Sequence, residues 1–472
     1  MTSWPPRTRL AQLCCGHARS PAGARAARVG PQPSRSVMTM FCNQCEQASH
    51  GTGCTTAGVC GKDEDVQSLQ ELLIYGVKGV AAYAHHARKL GMRDERVNGF
   101  LEEALFSTLT NVSFDPEALL ELCMECGQVN LLVMRMLDEG HRMRFGEPQP
   151  AMVREGTVAG PGILVSGHDL SDLAELLRQC EGTGVRVYTH GEMLPAHAYP
   201  ELAGHPNLVG HYGSAWQHQK AEFLAFSGPI LMTSNCVLPP KEAYRDRLFT
   251  TGVTAVPGGR RVRGGDFSEV IQAALASPPL PDRFVRETEV GYHHEAILAH
   301  AGAIVEAVKA GKISRFFLIG GCDGPEAARS YFTDYAAQTP RDSFILTLGC
   351  GKYRIRNQDH GTHLGLPRLL DMGQCNDAYG ALRVAGALAQ ALGCGVNQLP
   401  LTLVISWLEQ KAVAVLLTLL SLGVKGIVLG PRLPAFLSPN VLRLLQQRYD
   451  LRLTGRAPSM DLLQLHRAPA SA

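Results

Sequence analysis

The sequence predicts a multidomain protein of the α + α/β class, with a cysteine-rich segment and a three-helix bundle followed by two α/β domains. Three observations predict this architecture. Four cysteines are crowded between positions 42 and 60, apolar residues recur at three- and four-residue steps from 65 to 137, and short apolar runs alternate with amphipathic segments from 162 onward. A chain of 472 residues is also too long for one ordinary hydrophobic core.

The first forty residues are rich in arginine, serine, alanine and proline, and the first acidic residue of the chain is Glu46. This composition is typical of an organellar transit peptide, so residues 1–40 are predicted to direct the protein to a plastid or a mitochondrion. Two other interpretations stay open. In the first, the segment is a disordered basic tail. In the second, it is untranslated sequence upstream of a start at Met38 or Met40, which would leave the protein in the cytoplasm.

Residues 41–155 are predicted to hold the cysteine-rich segment and the three-helix bundle. The third helix begins at Asp115-Pro116, because an acidic cap followed by proline at the first helical position is a helix-start signal. The second helix carries Leu101, Leu105 and Leu109. The first opens at Asp65 and has one apolar stripe, formed by Val66, Leu69, Leu72, Leu73, Val77, Val80 and Ala81.

Residues 156–312 and 313–472 are predicted to form the two α/β domains. Six apolar runs have the length and composition of buried strands, at 162–166, 185–188, 229–233, 316–319, 344–347 and 427–429. Helical stretches separate several of them, at 170–180, 295–310 and 412–422.

Composition and motifs exclude several functional classes. With 45 basic and 43 acidic residues the net charge is +2, which provides no positive field for a nucleic acid. The longest uncharged apolar run, 412–424, is shorter than the ~18 residues that cross a bilayer, so we expect no membrane partner. Neither G-x-G-x-x-G nor G-x4-G-K-[ST] occurs, so no dinucleotide or nucleoside triphosphate site is signalled. Electrons for any redox chemistry are therefore expected from another protein.

The clustered cysteines Cys42, Cys45, Cys54 and Cys60 have the spacing Cys-x2-Cys-x8-Cys-x5-Cys in a glycine-containing segment. Such a segment can fold around a small inorganic core with its amides turned inward, as an iron–sulfur cluster requires. A structural zinc site is the main alternative, although zinc usually shows two short Cys-x2–4-Cys pairs. Disulfides are a third interpretation, disfavoured in a reducing compartment. The pattern favours an iron–sulfur cluster.

Five chemically capable residues follow predicted strands directly. Ligands bind at the carboxyl ends of parallel strands, so these side chains are expected to converge on one crevice between the two α/β domains. Taken singly, each has an ordinary structural explanation as a small buried thiol or a satisfied polar group. Together they offer thiolates, an imidazole and a carboxylate, a set that suits iron rather than calcium or magnesium. The five residues are His168, Glu192, Cys236, Cys322 and Cys350.

The sequence His293-His294-Glu295 opens another predicted helix. Proton delivery is one interpretation of this motif, but a helix N-terminus enriched in polar residues is the commoner meaning. We therefore do not count these residues among the predicted site residues.

Eight stretches of the chain resemble one known family, the hybrid cluster proteins or hydroxylamine reductases. The resemblance extends from Phe41 to about Gly455. Longer relatives place two helical bundles after the N-terminal cysteines, and this chain has room for one, so it is similar to a shorter form. The stretches are FCNQCEQ (41–47), GHDL (167–170), YTHGEMLPA (188–196), TSNC (233–236), GCDG (321–324), GCGKYR (349–354), DMGQCND (371–377) and WLEQKAVAV (407–415).

The resemblance implies that both α/β domains are Rossmann-like and hold a hybrid [4Fe-2O-2S] cluster between them. Cys322 occupies the position that looks like the family's persulfidated cysteine, while Cys375 and Glu409 enter from the resemblance alone. The spacing of the N-terminal cysteines is similar to that of members with a [4Fe-4S] cluster, whereas a [2Fe-2S] form has longer gaps. The implied hybrid-cluster ligands are His168, Glu192, Cys236, Cys322, Cys350, Cys375 and Glu409.

The activity that this resemblance implies is the reduction of hydroxylamine to ammonia and water by two electrons and two protons. The N-terminal cluster would relay electrons from a donor such as a ferredoxin or a reductase. The carboxylates of Glu192 and Glu409 are expected to shift coordination more readily than thiolates and so to make room for substrate. Lys411 either supplies protons or charge, or is a solvated lysine at a helix start.

Two alternative functions stay open at this point. The resemblance also permits the reduction of nitric oxide to nitrous oxide at the same cluster. A protein of a different class would act in redox or S-nitrosylation signalling, with Cys322 passing sulfur- or nitrosyl-type modifications to partner proteins. Slow turnover together with rapid, Cys322-dependent modification of a partner would mark the signalling function.

Overall fold

The computed structural model describes residues 39–467. The predicted transit segment and the alternative start at Met38 therefore lie outside the described residues, apart from the last two positions of the segment. Among the described helices, none is both long and apolar enough to span a membrane.

Three helices follow the cysteine-rich segment, as predicted: α1 (Glu64–Lys89), α2 (Glu95–Ser107) and α3 (Pro116–Phe145). Each begins after an aspartate whose carboxylate accepts a hydrogen bond from a backbone N–H of the first turn. The predicted stripe of α1 is buried except for Ala81, so the helical period identified its core face.

The buried face of α2 differs from the predicted one. Leu105 and Leu109 are exposed, and the buried apolar side chains are those of Val97, Phe100 and Ala104. The leucine spacing extends beyond Ser107, where the helix ends, so Leu109 lies outside the helix. The three leucines therefore did not identify the buried face of α2.

The first sheet has eight strands in the spatial order β7-β6-β5-β2-β3-β4-β1-β8. Neighbouring strands run parallel, except for the antiparallel pair β1 and β8 at one edge. The strands are β1 (Ala151–Thr157), β2 (Gly162–Ser166), β3 (Arg186–Thr189), β4 (Leu208–His211), β5 (Ile230–Met232), β6 (Leu248–Thr250), β7 (Arg260–Arg261) and β8 (Arg283–Val290). The helices of this region are α4 (Leu170–Gln179), α5 (Pro200–Ala203), α6 (Gln219–Ala225), α7 (Glu242–Arg245) and α8 (Ser268–Ala276).

Two helices, α9 (His294–Leu298) and α10 (Ala301–Lys309), lead into the second sheet. The sequence pattern predicted one helix over 295–310, but the chain leaves the helix at Ala299 and starts again after His300. Apolar residues keep their helical spacing on both sides of this break, so periodicity alone did not mark it.

The second sheet has six parallel strands in the spatial order β13-β10-β9-β14-β15-β16. Its strands are β9 (Arg315–Gly321), β10 (Ser343–Thr347), β13 (Leu369–Asp371), β14 (Leu401–Ser406), β15 (Val428–Gly430) and β16 (Arg452–Leu453). A separate hairpin is formed by β11 (Thr362–His363) and β12 (Leu366–Pro367). The helices are α11 (Ser330–Ala337), α12 (Ala378–Leu392), α13 (Gln410–Ser421), α14 (Pro439–Tyr449) and α15 (Pro458–Arg467).

The predicted fold class is confirmed: a helical bundle precedes two α/β regions whose sheets are largely parallel. All six strands predicted from apolar runs are present. The first sheet takes its strands from 151 to 290 and the second from 315 to 453. The division into domains at 155/156 and 312/313 stays a prediction.

The bundle packs directly on α13, the helix that begins after Glu409. Gly79 of α1 and Gly127 of α3 have no side chain where α13 passes, and a Cβ at Gly79 would lie 2.6 Å from the Gln410 carbonyl oxygen. Asn130 Nδ2 donates a hydrogen bond to Thr418 Oγ1 (2.9 Å). Close packing of helix backbones therefore fixes the position of α13 and of the residues at its start.

We expect Gly127→Ala to destabilise the protein by about 1–3 kcal/mol, because the added methyl group would overlap the backbone carbonyl of Leu417 on α13. Gly99→Ala in α2 is the matched control, since a Cβ there meets no atom within 4 Å. At this exposed helical position alanine should stabilise by up to about 1 kcal/mol. Urea unfolding followed by circular dichroism measures both. Equal midpoints for the two variants would contradict the proposed packing.

Candidate active site

One cavity of about 250 Å³ brings the seven predicted hybrid-cluster ligands together. His168, Glu192 and Cys236 reach it from the ends of β2, β3 and β5 in the first sheet. The other four reach it from the ends of β9, β10, β13 and β14 in the second sheet: Cys322, Cys350, Cys375 and Glu409. The carboxyl ends of strands in both sheets thus line one crevice, the place where open parallel sheets bind ligands. The role of each residue as a ligand stays a prediction.

Two glycines at these strand ends have backbone conformations and close neighbours that leave no room for a side chain. Gly167 and Gly321 have φ of +106° and +102°, values that disfavour other residues. A Cβ on Gly167 would lie 2.5 Å from Thr233 Oγ1, and one on Gly321 would overlap the carbonyl of Ser406.

Lys411 contacts His168, one of the residues that line the cavity. Its Nζ is 2.9 Å from His168 Nε2 and 3.0 Å from Asn235 Oδ1, while His168 Nδ1 is 2.9 Å from Ser234 Oγ. Only 2% of Lys411 is exposed, so it is not a solvated lysine at a helix start. Its ammonium group is a fixed positive charge next to the predicted ligands.

Asn235 links three groups of the site. Its side-chain amide nitrogen lies 3.3 Å from Glu409 Oε2 and 3.5 Å from Cys236 Sγ, and its carbonyl oxygen accepts from Lys411. Glu409 Oε1 is 4.0 Å from both Cys322 Sγ and Lys411 Nζ. The carboxylate of Glu409 is therefore held between a thiol and an ammonium group.

Glu192 and Cys375 meet in the same cavity, close to His168. Glu192 Oε2 accepts from the backbone N–H of Cys375 (3.1 Å), and the buried Glu192 Oε1 has no hydrogen-bond partner. Tyr83, from α1, places its hydroxyl 3.1 Å from Cys375 Sγ. His168, Glu192 and Cys375 each have one potential ligand atom within 4.8 Å of the others.

Burial controls the charge of these groups. It raises the pKa of Glu192 and raises the pKa of Cys375 to about 12, and it lowers the pKa of His168 well below the usual value. Burial alone would lower the pKa of Lys411, but the neighbouring acidic side chains of Cys375 and Glu409 raise that pKa above its usual value. In the protein alone the thiol of Cys375 is neutral, and a cationic centre is needed to stabilise the thiolate.

The donor set fits an iron–sulfur centre on observations of this structure. Four thiols free of disulfides line the cavity, and a buried carboxylate oxygen of Glu192 points into the site without a partner. An unpaired buried carboxylate oxygen is costly unless a cation or donor completes it. Thiolate, imidazole and carboxylate donors together suit iron.

The N-terminal segment brings two of its four cysteines face to face. Cys42 and Cys54 form an antiparallel bridge through two backbone hydrogen bonds of 3.0 and 2.8 Å. The backbone N–H of Ser49 lies 3.4 Å from Cys54 Sγ, and Lys62 Nζ lies 3.8 Å from Cys42 Sγ. Backbone hydrogen bonds, first from Val59 and then from Ser49, lower the pKa of Cys54, as a thiolate ligand requires.

Sequence reasoning missed Tyr83, Ser234 and Asn235. Ser234 and Asn235 belong to the stretch TSNC, which drew attention only to its cysteine. Ser234 and Asn235 directly precede the predicted ligand Cys236. They would have been found if the residues next to each predicted ligand had also been considered as site residues. Tyr83 lies on a bundle helix 292 positions before Cys375, and no local signal connects the two.

Sequence comparison finds close relatives with a common name. A hydroxylamine reductase of Moorella thermoacetica is 58% identical over 426 residues, which are 90% of this chain and 100% of that protein. A hydroxylamine reductase of Rhodospirillum rubrum is 58% identical over 83% of this chain and 71% of its own length, as expected if this chain is the shorter form. Both organisms are bacteria, so these relatives give the predicted organellar targeting no support.

Two solved structures share the fold. Carbon monoxide dehydrogenase IV from Carboxydothermus hydrogenoformans matches 93% of both chains with a TM-score of 0.74 and 15% identity. A Ni-free carbon monoxide dehydrogenase from Thermococcus sp. AM4 matches with a TM-score of 0.73 and 18% identity, over 93% of this chain and 91% of that one. At these identities the likeness concerns the fold alone.

The model of the Prismane/CO dehydrogenase family matches residues 40–122 and 115–460. These matches cover the cysteine-rich segment, the bundle and both sheets. They confirm the family resemblance that the motifs indicated. This chain therefore belongs to the Prismane/CO dehydrogenase family.

Proposed function

We propose that this chain is an iron–sulfur oxidoreductase that reduces hydroxylamine to ammonia and water, with the balance NH2OH + 2 e⁻ + 2 H⁺ → NH3 + H2O. The single observation that carries the proposal is the cavity in which four thiols, one imidazole and two carboxylates converge beside a buried lysine. Membership of the family implies iron–sulfur clusters. The name shared by relatives at 58% identity supports the substrate.

The proposed cofactor of the cavity is a hybrid [4Fe-2O-2S] cluster, held by the seven donors that line it. When bound, it would supply electrons and an open iron position for the nitrogen or oxygen of the substrate. Cys322 is proposed to carry the family's persulfide. It is half-buried and lies near Glu409 Oε1 at 4.0 Å, within the same cavity.

Three charged side chains have distinct proposed tasks. Glu409 is partly exposed, and Asn235 and Lys411 hold it beside the cavity, so this carboxylate can move aside for substrate at the least cost. Glu192 keeps one oxygen on the Cys375 amide while its other oxygen faces the site. The raised pKa of Lys411 means that its ammonium group does not readily release a proton. Lys411 is therefore proposed to supply positive charge rather than protons.

The proposed electron entry is a [4Fe-4S] cluster held by Cys42, Cys45, Cys54 and Cys60. Cys45 and Cys60 are half-buried rather than enclosed, so the segment lies at the protein surface. A surface position suits transfer from an external donor protein such as a ferredoxin or a reductase.

One observation favours a second candidate function, the reduction of nitric oxide by 2 NO + 2 e⁻ + 2 H⁺ → N2O + H2O. A second cavity of about 100 Å³, lined almost entirely by apolar side chains of the second α/β region, also touches Cys322 and Cys375. An apolar cavity beside the site suits a neutral, weakly hydrated diatomic molecule better than hydroxylamine.

Anaerobically purified protein is expected to contain about eight irons in two spectroscopically distinct centres, since one four-iron cubane and one four-iron hybrid site are proposed. Iron and acid-labile sulfide analysis, together with electron paramagnetic resonance during a reductive titration, measures this. About four irons in one centre would leave the cavity without its proposed cofactor, and zinc at the N-terminal cysteines would remove the electron relay.

Glu409→Ala should lower hydroxylamine turnover by about 100-fold or more, because it removes a proposed cluster ligand. Loss of a residue that only hydrogen-bonds to a ligand already costs about 10- to 100-fold, and loss of the ligand itself should cost more. The N-terminal cluster should survive, with its resonance signal and about four irons intact. Glu175→Gln is the control, because this glutamate lies on α4 and pairs with the exposed Arg178. Unchanged turnover in Glu409→Ala would remove Glu409 from the site.

Turnover of hydroxylamine and of nitric oxide should be compared on one preparation with one reduced donor. We expect a higher kcat/KM for hydroxylamine, because a polar site with a buried ammonium group can hydrogen-bond this substrate. Ammonia and nitrous oxide are quantified separately. A kcat/KM for nitric oxide that exceeds the hydroxylamine value would assign the site to the second candidate function.

A further inference from the structure

A second buried cluster of ligand-type side chains lies outside the proposed active site. The motif His293-His294 at the start of α9 packs against Asp138 on α3. Exposure of these three residues is 2%, 0% and 2% respectively. Each of them offers one ligand atom, and the three atoms lie within 4.8 Å of one another.

The spacing of these atoms suits a small metal ion. Asp138 Oδ1 is 2.8 Å from His293 Nε2 and 3.8 Å from His294 Nδ1. A tetrahedral zinc ion with ligands at 2.0–2.1 Å separates those ligands by about 3.4 Å. The two observed distances bracket this value, so small side-chain adjustments suffice.

The hydrogen bonding of the cluster is incomplete without an ion. Nδ1 of His294 and Nδ1 of His293 are buried and make no hydrogen bond, and Nε2 of His294 makes none although Glu295 Oε1 lies 3.2 Å away. His293 Nε2 and Asp138 Oδ1 bond only to each other, at 2.8 Å. A buried ring nitrogen that makes no hydrogen bond loses its hydration and gains nothing in return. This feature points to a group that the side chains themselves do not supply.

The second polar atom of each ligand side chain lies close to a further charged residue. Arg142 Nε donates to Asp138 Oδ2 at 3.0 Å. Glu147 Oε1 lies 3.5 Å from His293 Nδ1, and Glu295 Oε1 lies 3.2 Å from His294 Nε2. Carboxylates behind metal-bound histidines, and a donor behind a metal-bound carboxylate, are the arrangement that orients ligands in metalloproteins.

We propose that Asp138 Oδ1, His293 Nε2 and His294 Nδ1 bind one divalent first-row transition-metal ion, for which zinc is the best match. Two imidazoles and a carboxylate suit zinc or ferrous iron rather than calcium or magnesium. The ion joins α3 of the bundle to α9, the helix that leads from the first sheet into the second. It is separate from the seven donors of the active-site cavity, and three protein ligands leave the fourth zinc position open.

X-ray absorption at the zinc K edge tests the proposal on the whole, cluster-containing protein. The protein is cleared of loosely bound metal without oxygen and given one equivalent of Zn²⁺. We expect a shell of nitrogen and oxygen at about 2.0–2.1 Å with imidazole scattering and no sulfur shell near 2.3 Å. Sulfur ligation would place the zinc at cysteines and overturn the proposal, as would failure of the protein to retain zinc.

Variants assign the site to these residues. His294→Gln and Asp138→Asn should each lower retained zinc by about tenfold or more, measured by elemental analysis per chain. His300→Gln removes an exposed histidine of the same segment and should retain the wild-type amount. Asp138→Asn keeps the size of the side chain, so it provides a second variant if His294→Gln folds poorly. Equal zinc in wild type, His294→Gln and Asp138→Asn would overturn the assignment.

Discussion

Burial of acidic donor groups in one cavity is the constraint on which the rest of the site depends. Four thiols and two carboxylates line this cavity, and burial raises the pKa of Glu192 and Cys375. Anions so close together are stable only when opposite charge or N–H donors surround them. Lys411, Asn235 and the Cys375 amide supply part of that compensation. The proposed cofactor would supply the remainder.

The fold meets this constraint by using three parts of the chain at once. Strand ends of both parallel sheets deliver the donors, while the bundle contributes Tyr83 and fixes α13 through close helix packing. Glu409 and Lys411 lie at the first turn of that helix. Their positions therefore depend on the close contact of α1 with the first turn of α13 and of α3 with a later turn. The helical bundle is part of the site's scaffold, although it provides none of the seven donors.

Local sequence patterns predicted much of this arrangement, and tertiary contacts supplied the rest. An apolar run followed by glycine and a thiol or imidazole marked His168 and Cys322 as residues of one crevice. No such run precedes Cys375, because the two leucines of strand β13 stand between Arg368 and Asp371. The sequence left Lys411 undecided between two environments, because its burial is created by contacts with Asn235 and His168, which are 176 and 243 positions away. Spacing along the chain contains no information about such contacts.

The neutral state of the buried thiols has a consequence for how the holoprotein is made. A thiol whose pKa is raised to about 12, as in Cys375, keeps its proton at neutral pH, whereas iron binds the thiolate. Under the proposed ligand assignment, arrival of the cofactor displaces that proton into solution. Maturation of this chain is then an acid-releasing reaction, and its driving force increases as the surrounding pH rises.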